Sequence, residues 1–95
     1  MELEQLRIYV SAARCASFSE AARRLYISHS TVSRAVSALE EELGVSLLER
    51  GNRVLGLTAA GETLLREAEA LLAAADETAA RVRGAGEKMK KKEEA

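Results

Sequence analysis

Residues 17–44, SFSEAARRLYISHSTVSRAVSALEEELG, combine a short and a longer helical pattern with a tight turn between them. At about 100° per residue, the apolar side chains of the longer pattern share one narrow sector. They are Val32, Val36, Leu39 and Leu43. The opposite side is small and polar, with Ser30, Ser33, Arg34 and Ser37. One side is therefore suited to burial and the other to contact with a partner.

The polar side of the longer helix lacks the long Lys and Glu side chains that a solvated helix usually presents. Short hydroxyls let its backbone approach a surface closely, and a guanidinium reaches beyond them to pair with guanine O6 and N7. This pattern is typical of a recognition helix in the major groove of DNA. Ser28 is a good N-cap, and its end of the helix offers free N–H groups to a phosphate. The candidate DNA contacts are Ser28, Ser30, Thr31, Ser33, Arg34 and Ser37.

The shorter pattern supports the same interpretation. Ser17 or Ser19 can cap it, and Ser17 with Glu20 fits a capping box. A small apolar face follows, and three residues, 26–28, leave room only for a tight turn before the longer helix. A generic helical hairpin would show the same pattern, so a protein-interaction module without sequence-specific DNA binding remains the alternative.

Composition limits the other possibilities. Ninety-five residues allow one small domain, and no apolar run reaches membrane-spanning length. The first residues lack the regions of a signal peptide, which leads us to expect a cytoplasmic protein. Cys15 and His29 are the only residues of their types, and no Cys or carboxylate lies at metal-ligand spacing from His29. We expect no metal, no cofactor and no enzymatic activity, although the sequence leaves a Cys15–His29 pair open.

The formal net charge of −1 is unusual for a DNA-binding domain. Its distribution is more favourable, because five arginines and a single acid lie between residues 5 and 38: Arg7, Arg14, Arg23, Arg24 and Arg34 against Glu20. A phosphate responds to charge within about a Debye length rather than to the total. We therefore expect weak non-specific affinity and a need for two copies on one DNA.

The flanking segments complete a domain. Residues 3–13 carry apolar side chains at the spacing of a first core helix. After Gly44, a helix cap, two short apolar-bearing runs at 45–50 and 53–57 flank Gly51-Asn52, which predicts a β-hairpin. A two-stranded ribbon after a helix-turn-helix is a wing. Arg50 and Arg53 flank its tip, where they are candidate DNA contacts or simply solvated charges.

Thr58 is predicted to cap a last helix whose apolar stripe continues for six turns. This stripe is longer than the small domain can cover, which indicates a partner helix. The candidate dimerisation residues are Leu64, Leu65, Ala68, Leu71, Leu72 and Ala75. Gly84 and Gly86 are expected to end the helix. The predicted division is a DNA-binding domain at 1–58, a dimerisation helix at 59–83 and a charged, disordered tail at 84–95.

Residues 17–50, followed by LTAAGETLL at 57–65, resemble the LysR-type transcriptional regulators, in their N-terminal winged helix-turn-helix domain and linker helix. The resemblance covers about residues 1–83. It implies a bacterial regulator that binds dyad-symmetric promoter DNA as a homodimer paired through linker helices. It also implies that the positions of His29, Ser30, Ser33 and Arg34 face the major groove, and that of Arg53 the minor groove.

The same resemblance implies an effector-binding domain with a small-molecule inducer, which these 95 residues do not encode. We expect the chain to be an excised DNA-binding fragment rather than a natural short protein. The predicted fold is mostly α: three helices and a two-stranded wing, followed by a long dimerisation helix.

Overall fold

The computed structural model describes residues 1–49 and 56–94. Three helices come first, α1 (Leu3–Cys15), α2 (Phe18–Leu25) and α3 (His29–Leu43). Two short strands, β1 (Leu48–Glu49) and β2 (Gly56–Leu57), lead into a long helix, α4 (Ala59–Glu94). This order confirms the predicted winged helix-turn-helix with a long C-terminal helix.

The starts of α2, α3 and α4 and the end of α3 lie where the polar residues and Gly44 predict them. Ser17, Ser28 and Thr58 each accept a hydrogen bond from the backbone N–H three residues later, at 3.1, 3.1 and 3.0 Å. Such caps satisfy donors that the first helical turn leaves unpaired. Gly44 ends α3 with a φ of +69°, in the left-handed region that favours glycine.

Helix α1 lies at the centre of the domain and packs against α2, α3 and α4. Contact on several sides explains why its buried surface is wider than one helical stripe: Leu6, Ile8, Tyr9, Val10 and Ala12. One core cluster joins α1 and α3 to β1 and α4, and a second joins α1, α2 and α3. Phe18 packs against both clusters.

The start of α4 is fixed to the domain by a close backbone approach. The Tyr9 hydroxyl donates a hydrogen bond to the Gly61 carbonyl oxygen, at 2.7 Å, and is buried there. A β-carbon at Gly61 would lie 2.1 Å from the Leu47 carbonyl oxygen, so only glycine fits. The first turn of α4 therefore packs directly against the backbone at Leu47.

The wing is antiparallel, with Leu48 opposite Leu57 and Glu49 opposite Gly56. A regular hairpin with a two-residue turn at residues 51–52 would instead pair Leu48 with residue 55, so the observed register differs by two residues. The predicted turn, together with Arg50 and Arg53, lies outside the described residues. The base of the wing is held by Leu47, whose N–H donates to Glu40 Oε2 at 2.9 Å.

Helix α4 corrects two expectations. It continues through Gly84 and Gly86 to Glu94, so the predicted helix end at Gly84 is wrong. An isolated glycine costs a helix about 1 kcal/mol, which lowers helix propensity without ending the helix as a proline would. The rest of the three-part division, a DNA-binding domain at 1–58 and a dimerisation role for the helix after it, remains a prediction.

The second correction concerns the apolar stripe. Leu64 and Ala68, expected to meet a partner helix, are buried in this chain's own core, and Leu65 and Leu72 pack partly against it. The stripe is exposed only further along, where Leu71 is 44% exposed and Val82 66%. The domain covers the first turns because α1 lies alongside them, with ion pairs from Arg7 to Asp76 and from Arg14 to Glu69. In the described part of the chain, no helix is long and apolar enough to cross a membrane.

Candidate nucleic-acid interface

Helix α3 has the two-sided character that the sequence predicts, except that Leu43, predicted for the buried side, is 40% exposed. One side is buried in the domain: Val32, Ala35, Val36 and Leu39. On the other, Ser30, Arg34 and Ser37 are exposed, while Ser33 and Thr31 are half-buried. The side chains that could bind a partner therefore lie along one accessible face of a helix held rigidly from behind.

Three hydroxyls form a cluster at the start of α3. The Ser28 Oγ lies 3.1 Å from the Ser30 Oγ and 2.7 Å from the Thr31 Oγ1, both within hydrogen-bond distance. Ser28 also caps the helix, so its hydroxyl is already engaged within the fold. Ser28 therefore orients the first turn, and both Ser28 and Ser30 stay exposed at its surface.

Arg34 is held against the same cluster. Its Nε donates to the Ser30 carbonyl oxygen at 3.3 Å, and its Nη2 donates to the Ser30 Oγ at 3.4 Å. The guanidinium thus lies over the first turn of α3 and stays exposed. These contacts are long and solvent-accessible, so they orient Arg34 without fixing it and leave it able to turn toward a base edge.

His29, the first residue of α3, is exposed and leans toward α2. Its ring centroid lies 5.7 Å from that of Phe18, with 59° between the ring planes. The contact places the imidazole between the two helices of the motif, at the edge of the polar face rather than at its centre.

Charge is distributed unevenly along α3. Its first turn contains no acid, whereas Glu40, Glu41 and Glu42 lie in its last turns. Ten residues separate Ser30 from Glu40, or about 15 Å along the axis. Only the N-terminal half of α3 can therefore approach a polyanion without repulsion.

The sequence does not indicate the charged group that Glu20, Arg23 and Arg24 form on α2. The Glu20 carboxylate accepts hydrogen bonds from Arg23, the shortest at 2.7 Å, and from Arg24 Nε at 3.0 Å. These bonds hold the Glu20 pKa below its usual value. The carboxylate is thereby directed to the arginines, and only the Ser17 half of the predicted capping box is made.

Next to this group lies Tyr26, which the sequence pattern places only in the turn between the two helices. It ends α2 with a φ of +58°, and its side chain is 95% exposed. The feature of the sequence that could indicate a role for Tyr26 is a large aromatic residue at the end of a helix, where glycine or asparagine is usual.

The remaining candidates do not join this surface. Arg50 and Arg53 cannot be placed, because they lie outside the described residues. Cys15 is a half-buried free thiol at the end of α1. Within the described ranges, no group of three or more His, Cys, Asp or Glu side chains could hold a metal ion.

These features define a winged helix-turn-helix protein. The domain has three helices and a small antiparallel wing, and α3, the second helix of the motif, has one exposed polar face. Comparison with known sequences gives the family. Residues 3–62 match the bacterial regulatory helix-turn-helix proteins of the lysR family, and the chain belongs to that family.

Similar proteins agree with this assignment. The HTH-type transcriptional regulator ClcR of Pseudomonas putida is 47% identical over 72 residues, which is 76% of this chain and 24% of ClcR. TcbR of Pseudomonas sp. (strain P51) is 40% identical over 85 residues, which is 90% of this chain and 29% of TcbR. The chain thus spans about a quarter of the length of these regulators.

Solved structures show the same fold. The crystal structure of a complex between the CbnR DNA-binding domain and DNA superposes with a TM-score of 0.87 at 40% identity, covering 90% of this chain and 99% of that one. A complex of the BenM DNA-binding domain with benA site 1 DNA also gives 0.87, at 37% identity, covering 90% and 97%.

Proposed function

We propose that this domain binds double-stranded DNA sequence-specifically, as part of a dimeric transcription regulator acting in the bacterial cytoplasm. The N-terminal half of α3 would enter the major groove, with the wing beside it. The observation that carries the proposal is the polar face of α3, which stays accessible around Arg34 while the opposite face is buried.

The candidate contacts have distinct roles. Arg34 is the base-reading residue, since its fork can pair with guanine O6 and N7. Ser30, Ser33 and Ser37 lie on the same face and supply hydroxyls for phosphates or base edges. His29 contributes at the groove edge, and Arg50 and Arg53 are proposed to bind the backbone or minor groove from the wing.

Relatives support this assignment. CbnR and BenM were crystallised as complexes of their DNA-binding domains with DNA, and this chain shares their fold over nine-tenths of its length. Because the matched region covers only 24% of ClcR and 29% of TcbR, we propose that the full-length regulator adds an effector-binding domain that responds to a small molecule.

Dimerisation is proposed through the exposed continuation of the α4 stripe. Leu71, Ala75, Ala79 and Val82 recur at three- and four-residue intervals and share one face. Leu64 and Ala68 lie on the same stripe nearer the start of α4 but are buried within the chain, so they fix α4 to the domain rather than forming the interface.

Selection of duplexes from a random pool, followed by gel-shift titration, tests the proposal. Arg34→Ala should lose about 1–3 kcal/mol on the selected site and much less on random DNA. Arg66→Ala is the matched control, because it removes the same charge from α4. An equal loss on both DNAs would make Arg34 a phosphate contact. Absence of any enriched sequence at moderate salt would favour the second candidate, an interaction module acting through the α4 stripe.

A further inference from the structure

Tyr26 occupies a backbone conformation that does not favour it. It lies at φ +58° and ψ +41°, in the left-handed region where a β-carbon is unfavourable. Its ring is almost entirely exposed, and the structure gives its hydroxyl no hydrogen bond within the described residues. Neither packing nor backbone geometry therefore requires a tyrosine here. A large aromatic side chain at a strained, exposed position points to contact with something outside the chain.

The surroundings of Tyr26 favour an anionic partner. A surface concavity of about 440 Å³ is lined by Tyr26 together with Glu20, Arg23 and Arg24. Two guanidiniums outweigh the one carboxylate, whose oxygens are already engaged by both arginines. Arg24 donates to Glu20 through Nε at 3.0 Å, and its terminal nitrogens make no hydrogen bond in the part of the chain that the structure describes, so they can donate to another acceptor. Phenol and guanidinium groups together offer donors to an acceptor that carries negative charge.

The position of Tyr26 relative to α3 identifies that acceptor. Tyr26 lies two residues before Ser28, the N-cap of the helix proposed to enter the major groove. A helix that enters the groove by its N-terminal end brings the preceding turn to the groove edge, where the phosphates of one strand lie. A protein partner would not be confined to this place, whereas a duplex supplies phosphates there on every binding event.

We propose that Tyr26 and Arg24 together bind a backbone phosphate at the edge of the groove read by α3. The Tyr26 hydroxyl donates a hydrogen bond to a phosphate oxygen, and Arg24 supplies the neighbouring positive charge. This inference rests on the proposed DNA-binding function and adds to it a contact that sets the register of α3 without reading sequence.

Two variants separate this contact from a structural role. Tyr26→Phe removes only the hydroxyl, and Tyr26→Asn introduces a residue that tolerates the left-handed conformation. The midpoint of thermal unfolding should stay the same for Phe and stay the same or rise for Asn. Affinity should nevertheless fall about 3- to 10-fold for both variants, equally on selected and random duplexes.

The phosphate itself can be located chemically. In duplexes carrying one neutral methylphosphonate at a time, one position at the groove edge should weaken binding of the wild-type domain but not of Tyr26→Phe. The inference would be overturned if both variants bound DNA with wild-type affinity, or if no methylphosphonate position had this effect. The concavity around Tyr26 would then be assigned to a protein partner. If Arg34→Ala still binds the selected duplex more weakly than the wild-type domain does, the proposed function stands although the inference about Tyr26 fails. Failure of the wild-type domain to enrich any sequence would instead overturn both.

Discussion

Tyr9 joins the three-helix domain to α4 through a single buried hydroxyl. Its hydrogen bond to Gly61 is satisfied in the neutral state, and ionisation would place a charge in the core. Burial, and secondarily the charge of Glu40, raise the pKa of Tyr9 to about 12, from 10.0 in a free side chain. The tyrosine thus makes the folded state sensitive to alkali.

We expect stability to fall between pH 10 and pH 12. A tyrosine whose pKa is raised on folding contributes its full stabilisation below the unfolded-state value, and this is lost as the pH rises through the folded value. A shift of this size corresponds to about 2–3 kcal/mol. Urea unfolding at intervals of half a pH unit measures it.

Tyr9→Phe is the control for that titration. It should cost about 1 kcal/mol at neutral pH, through loss of the hydrogen bond to Gly61, and should flatten the alkaline decline. An equally steep decline in Tyr9→Phe would assign the pH dependence to other groups.

Two glycines of α4 should respond oppositely to alanine. At Gly61 the added β-carbon meets the Leu47 carbonyl oxygen at 2.1 Å, and backbone cannot yield easily, so Gly61→Ala should destabilise by about 1–3 kcal/mol. At Gly84 nothing lies within 4 Å, so Gly84→Ala should stabilise α4 by up to about 1 kcal/mol. Denaturant unfolding of both variants measures the contrast, and the same sign in both would contradict it.

At the scale of elements, the helices were predictable where local chemistry decides them. The caps Ser17, Ser28 and Thr58, the left-handed Gly44 and the two faces of α3 all follow from residue type and spacing. These features depend on neighbours within a few positions, which a sequence displays directly.

Other features depend on packing that a local pattern does not contain. The buried surface of α1 is wide because three helices surround it, so Ile8 and Tyr9 are core residues while Leu3 stays exposed. The wing register differs from that of a two-residue turn, and Thr58 binds the opposite strand end through bonds to the Leu47 and Ser46 carbonyl oxygens. Helix α4 passes through Gly84 because a single weak helix former does not outweigh its neighbours in a cooperative helix.

Helix α3 offers a test that separates folding from binding at one residue. Ser28→Ala removes the cap on the Thr31 N–H and should cost about 0.5–2 kcal/mol of stability. Ser28→Asp should restore the cap and suit the helix dipole, but its charge would face the DNA phosphates. We expect Asp to recover the unfolding midpoint while binding DNA more weakly than Ala in gel-shift titrations. Recovery of both properties in Ser28→Asp would show that this helix end does not approach the duplex.

At the scale of the whole molecule, charge and shape both favour action in pairs. The chain carries a net charge of −1, so one copy has little general attraction for DNA. It is also elongated, with a largest dimension of 64 Å, because α4 extends well beyond the domain that covers its first turns. The uncovered part of its apolar stripe is the surface that a second copy would bury. Two joined copies would then bind one DNA with a higher affinity than either copy has alone.

A pair of charge substitutions tests that arrangement. Val82 lies on the stripe, 66% exposed in the single chain, whereas the exposed Ala80 lies two residues away on the opposite side of α4. Val82→Glu should place a charge in the interface and so weaken dimerisation. We expect the dimer dissociation constant from sedimentation equilibrium to rise about tenfold or more, and the affinity for a dyad-symmetric duplex to fall in parallel. Ala80→Glu adds the same charge to solvent and should leave both measurements unchanged. Equal behaviour of the two variants would mean that the copies associate through another surface, and a wild-type chain that stays monomeric on a dyad duplex would exclude the paired mode of binding.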